Sequence, residues 1–164
     1  MSIDENLSAT TAPASEQIPE HTAPEKFAKN LPEIITVRPD AETLTRQHLP
    51  YFVGISQATA GAKGIAMNLV IIPPGGSAKP HFHRDYETAI YLVKGRVETR
   101  YGHGLKQTII NEPGDFIFIP PGVPHQPFNL SDTEPAHAIV ARNDPNEQEN
   151  VVLYDATAKI EIDS

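Results

Sequence analysis

Seven histidines stand in this 164-residue sequence, at positions 21, 48, 81, 83, 103, 125 and 137. Two of them form His81-Phe82-His83. In an extended strand, residues i and i+2 share a face, so these imidazoles stand about 7 Å apart at Cα on one side of the chain, a spacing that can grip one metal ion. The pair follows the turn-rich stretch Pro73-Pro74-Gly75-Gly76 and precedes Arg84-Asp85-Tyr86-Glu87, whose carboxylate can supply a further ligand. Some forty residues on, Phe116-Ile117-Phe118-Ile119-Pro120-Pro121-Gly122-Val123-Pro124 leads into His125. In an antiparallel barrel that segment can return beside the His81 strand. Other chemistries lack their motifs. There is no Cys for a thiolate site or disulfide, no Gly-x-Ser-x-Gly elbow and no phosphate-cradling glycine loop.

The elements that must position these residues read as short strands. Candidates are Ile34–Val37, Tyr51–Ile55, Ile65–Ile72, Ala89–Val93, Arg96–Tyr101, Lys106–Ile110, Phe116–Ile119, Ala136–Ala141 and Val151–Tyr154, separated by Pro, Gly, Asn and Asp. The best helical candidate is Asp40–Gln47. Regular short strands with turn signals between them indicate an all-β sandwich or barrel. Residues 33–164 are assigned to it. Residues 1–32, rich in Ala, Pro, Thr, Ser and Glu, read as an N-terminal arm that is disordered or docks on a partner subunit through Ile18, Phe27 and Leu31. The strand Phe116–Ile119 is apolar on both faces, so one face fills the barrel and the other calls for a second subunit. A homodimer is therefore expected.

Composition narrows the partners. A net charge of −8 argues against nucleic acid and against a basic membrane-surface patch. The longest aliphatic run, Leu69–Ile72, is far short of a membrane span, and the first residues have neither a basic flank nor an apolar stretch. The expectation is a cytoplasmic protein acting on a small molecule.

The two histidine segments resemble the motifs of the cupins. The first motif is a Gly, five residues, His-x-His, three or four residues, Glu, six residues and Gly. Here Gly75, His81, His83, Glu87 and Gly95 follow it, with seven residues rather than six before Gly95. The second is matched at every spacing by Gly114, Pro120, Gly122, His125 and Asn129. The resemblance covers about residues 45–155. It implies a jelly-roll barrel holding one divalent first-row metal, Fe, Mn, Ni, Cu or Zn, through His81, His83, Glu87 and His125. Counted back from Gly95, Thr88 takes the glutamate's place, so either a bulge restores Glu87 or three histidines act alone. Glu87 is also the candidate base, and Tyr91, His137 and Arg142 are candidate substrate contacts. Gly75, Gly95, Gly114, Pro120, Gly122 and Asn129 read as scaffold. The activities this implies are a dioxygenase-type oxidoreductase first, then a metal-dependent isomerase, epimerase or lyase, then a non-catalytic ligand- or metal-binding protein.

Overall fold

The computed structural model describes residues 33–146 and 150–157. The arm expected over 1–32 lies outside the described residues. The strands, in chain order, are β1 (Thr43–Leu44), β2 (Pro50–Ile55), β3 (Ala66–Ile72), β4 (His81–His83), β5 (Thr88–Lys94) and β6 (Val97–Tyr101). They continue with β7 (Gln107–Asn111), β8 (Phe116–Ile119), β9 (His125–Asn129), β10 (Ala136–Arg142) and β11 (Val151–Leu153). They form two antiparallel sheets, ordered β1-β2-β3-β10-β5-β8 and β11-β4-β9-β6-β7. This is the all-β jelly-roll barrel expected from the strand spacing and the motifs. No described helix is long and apolar enough to cross a membrane.

Period-two burial builds the interior. On β3, Ala66, Asn68, Val70 and Ile72 are buried, and on β10 so are Ala136, Ala138, Val140 and Arg142. Leu49, Val70, Ile72, Leu92, Val97 and Val140 pack into the core between the sheets. The turns between strands carry the glycines. Gly95 has φ of 91°, and a Cβ there would stand 2.6 Å from that of Ala136, so no other residue fits.

Three local assignments differ from the sequence reading. Residues 34–37 form no strand. Asp40–Gln47 is not helical: Thr43–Leu44 pairs with β2, and Thr45, Gln47 and Leu49 then point inward in alternation. The Thr45 hydroxyl accepts the Leu49 N–H and closes that turn. The strand β9 is absent from the sequence reading because Pro124 and Pro127 interrupt its pattern. Its partner β4 meets it only at His81↔His125, so few of its amides face a neighbour there.

Candidate metal centre

Strand β4 buries His81 and His83 on the barrel's inner face, while Phe82 between them is only half-buried. Strand β9 runs antiparallel and sets His125 directly opposite His81. The two motifs are also joined by backbone, since the Gly122 N–H donates to the His83 carbonyl at 2.7 Å. The three rings converge, with centroids 4.3 Å apart for His81–His125, 4.8 Å for His83–His125 and 5.3 Å for His81–His83.

Hydrogen bonds fix which nitrogen faces inward. His81 Nδ1 lies 2.8 Å from the Lys79 carbonyl and His125 Nδ1 lies 2.9 Å from the Val123 carbonyl. A carbonyl only accepts, so both Nδ1 atoms carry the proton and both Nε2 atoms carry the lone pair. His83 Nδ1 lies 2.7 Å from the Thr88 hydroxyl, leaving its Nε2 buried with no hydrogen-bond partner. One nitrogen from each ring lies within 4.8 Å of the other two. A buried imidazole nitrogen without a partner is costly in an apolar interior, and an ion at the point where the rings meet would satisfy it. The donor set fits a divalent first-row transition metal, and the oxygen partner on each Nδ1 is the support that metal-binding imidazoles usually have.

Electrostatics keeps the three rings neutral. Burial is the main cause in each case. It lowers His81 to about 3, with the neighbouring His125 and Arg142 adding to it. His125 falls to about 4, and His83 is pushed far below the ordinary histidine value, again by burial first and then by His125 and Arg142. All three rings are thus free of the competing proton at neutral pH, as metal binding requires. They border a cavity of about 80 Å³ whose other walls include Leu49, Ile72, Leu92 and Val140.

The structure separates the other expected site residues. Thr88, fully buried, points inward and touches His83, whereas Glu87 is exposed and bonded to Asn143. Adjacent residues entering a strand face opposite ways, so only one of the pair can reach the cluster. The β5–β10 ladder passes over Val93, yet it is Thr88 and not Glu87 that faces His83. Arg142 is buried and lines the cavity. Tyr91 and His137 do not line it. Tyr91 lies on the outer face, 4.8 Å from Phe116, and His137 alternates with the inward Ala136 and Ala138. Asn129 donates to the carbonyls of Ile72, Pro73 and Glu134 and so ties turns together. Sequence reasoning missed Tyr86, which stacks on His83 at 4.8 Å, and Gln47, which lines the cavity. The alternation Thr45, Gln47, Leu49 was the available signal for the second.

Comparison with known proteins agrees with this geometry. A family model described as a cupin domain matches residues 68–142. Germin-like protein subfamily T member 3 of Arabidopsis thaliana is 35% identical over 74 residues, covering 43% of this chain and 32% of that protein. The chain thus spans about a third of the curated relative it matches. Among solved structures, an oxalate oxidase in complex with glycolate is similar at a TM-score of 0.61 and 22% identity, over 80% of this chain and 68% of that one. The polyketide cyclase RemF of Streptomyces resistomycificus gives 0.59 and 22%, over 79% and 89%. The oxalate decarboxylase of Lactobacillus farciminis gives 0.58 and 21%, over 69% and 33%. At these identities the likeness is one of fold.

Proposed function

We propose, for a chain whose residues 68–142 match a cupin-domain model, that His81, His83 and His125 hold one divalent first-row metal ion and that the site oxidises a small molecule in the manner of a dioxygenase. The observation that carries this is the His83 Nε2 atom, buried without a hydrogen-bond partner among three rings whose Nδ1 atoms are already engaged. When bound, such an ion supplies Lewis acidity to an oxygen of the substrate and, where it is redox-active, electron exchange with dioxygen. The chain's own residues do the rest. Thr88 holds the His83 ring, the apolar walls keep bulk water out, and Arg142 borders the same cavity.

Oxidation is favoured over proton transfer by the cavity lining. An isomerase or lyase needs a base beside the substrate. No carboxylate is among the described lining residues, and the base that the sequence offered, Glu87, lies outside. Oxygen uptake by the iron-loaded protein over a panel of small oxygenated acids and enols tests the reading. Uptake matched to substrate loss, and abolished in His83→Ala, is expected. Turnover without oxygen uptake would move the protein to the isomerases and lyases, and binding without turnover would make it a carrier.

The chain acts as a homodimer on this reading. Phe116 and Phe118 are 85% and 61% exposed on the outer face of the larger sheet. With Met67, Tyr91 and Ile139 they border a shallow apolar hollow suited to a second apolar surface. Light scattering giving twice the chain mass is expected, and a monomer at micromolar concentration contradicts it.

A further inference from the structure

Besides His83 Nε2, the described cavity lining holds a buried oxygen without a hydrogen-bond partner. It is Oε1 of Gln47, a residue 3% exposed. Backbone contacts fix Gln47 beside His81. The Gln47 carbonyl accepts the Lys79 N–H at 2.8 Å, and the Lys79 carbonyl in turn lies 2.8 Å from His81 Nδ1. The Gln47 side chain is buried in alternation with Thr45 and Leu49, and it lines the same cavity as the three imidazoles. Residues diagonal to one another on neighbouring extended chains stand roughly 7–8 Å apart, a gap that long and aromatic side chains span. We infer that Gln47 Oε1 is a fourth ligand to the ion held by His81, His83 and His125, supplying the oxygen that the outward Glu87 does not.

Three features support the assignment. A carboxamide oxygen only accepts, so it is satisfied by a donor or by a cation. A water in that role would need two or more polar partners, and the wall residues Leu49, Val70, Ile72 and Leu92 offer no side-chain partner. One ion answers both His83 Nε2 and Gln47 Oε1. The donor set points the same way. Three imidazoles leave a divalent first-row ion short of the four ligands it usually takes, and a carbonyl oxygen is an ordinary partner for such an ion. The last feature is energetic. A buried oxygen without a partner weakens the empty fold, whereas a leucine there would carry no such penalty, so the cost is offset only when the atom finds its partner. The carboxamide is neutral, so the four ligands leave the ion its full positive charge, where a glutamate would cancel half of it. This deepens the metal reading and rests on it.

Zinc and cobalt(II), each added alone to the metal-free chain, test it. In competition with a chromophoric chelator, Gln47→Leu should hold zinc at least tenfold more weakly, a loss that even a residue behind a ligand brings. Gln47→Glu, which keeps an oxygen at the position, should hold zinc at least as tightly as the unmodified chain. In the cobalt(II) form the visible ligand-field bands should move in Gln47→Leu, a change that a residue merely packed nearby does not cause. Without metal, Gln47→Leu should melt at or above the unmodified chain, because the unpartnered oxygen is gone; with zinc its melting temperature should rise less. In the unmodified chain the carboxamide carbon resonance of Gln47 should shift with one equivalent of zinc, and this measurement stands even where a variant does not fold. Zinc held equally tightly by Gln47→Leu, unchanged cobalt bands or an unmoved Gln47 resonance overturns the assignment and leaves the three-histidine site intact. A chain that takes no zinc overturns the metal reading and this assignment with it.

Discussion

Strand β5 borders two regions that break the usual sorting of side chains in opposite ways. Its inward residues, Thr88, Ile90 and Leu92, face a cavity where three imidazoles and a guanidinium are buried. Its outward residues, Ala89, Tyr91 and Val93, continue a surface on which Phe116 and Phe118 stand exposed. Polar groups inside and aromatic groups outside both run against ordinary partition between water and core. The difference lies in how each is held. The inner groups are fixed by named hydrogen bonds to Lys79, Val123 and Thr88, so their geometry exists before anything binds. The outer groups are exposed aromatic rings, with Tyr91 against Phe116 at 4.8 Å. On the proposed reading the inner region takes a small ligand and the outer one a second apolar surface.

The sharpest way to separate the two regions is pH. The inner histidines have folded values near 3 and 4, and lower for His83, against about 6.5 in the unfolded chain. The unfolded chain therefore takes up protons that the folded one refuses. Stability is at its full value above about pH 6.5 and falls as pH drops from there toward 4. The loss should be on the order of several kcal/mol, since a proton that binds tenfold more weakly to the folded chain costs it about 1.4 kcal/mol. Urea unfolding of the metal-free chain at pH 7, 5.5 and 4.5 measures it. A flat profile would mean that the histidines are not buried in solution.

Metal addition should act on the inner region alone. An ion at one hundred times its dissociation constant should stabilise the fold by about 2.7 kcal/mol. For a domain of this size that raises the melting temperature by roughly 5–10 °C. The rise should vanish in His83→Ala and persist in a Phe116→Ser, Phe118→Ser double variant. Scanning calorimetry reads it, and an equal rise in His83→Ala would place the ion elsewhere.

Thr88 offers a finer cut. Thr88→Val preserves shape but removes the oxygen on His83 Nδ1, and should weaken metal binding by about 10–100-fold. Thr88→Ser should restore it. Glu87→Ala, which alters an exposed carboxylate, should leave affinity unchanged. Competition titration with a chromophoric chelator ranks the three, and a loss confined to Glu87→Ala would reverse the assignment.

The smallest effect on folding belongs to the outer face. Phe116→Ser with Phe118→Ser should change monomer stability by no more than about 0.5 kcal/mol, as exposed substitutions do. It should still halve the mass seen by light scattering. An unchanged dimer would move the interface off this sheet.

The barrel was legible in the sequence because its turns carry Pro and Gly at regular intervals and its inner faces alternate. The place of His81, His83 and His125 was legible for a related reason, since a strand of known period must set i and i+2 together. Glu87 against Thr88 was not decidable by counting. The count from either glycine leaves both neighbours open, and the hydrogen bond between Thr88 and His83 shows which one faces inward. Tyr91 and His137 misled because polar side chains inside short strands do not announce their face; each is settled by its inward neighbours, Leu92 for the one and Ala136 and Ala138 for the other. Gln47 was hidden within a polar stretch that reads as helical. Thr43–Leu44 pairs with β2 instead, and the turn that follows buries Thr45, Gln47 and Leu49 in alternation.

The central claim is that three histidines form one metal site, and the metal content of purified variants tests it most directly. Elemental analysis of the unmodified chain should give about one first-row metal ion per chain. His81→Ala, His83→Ala and His125→Ala should each lose most of it while keeping the strand signature in circular dichroism. His103→Ala, an exposed residue, should match the unmodified protein. Full occupancy in His81→Ala and in His125→Ala would contradict the account, because no ion held at the meeting point of the three rings survives the removal of either.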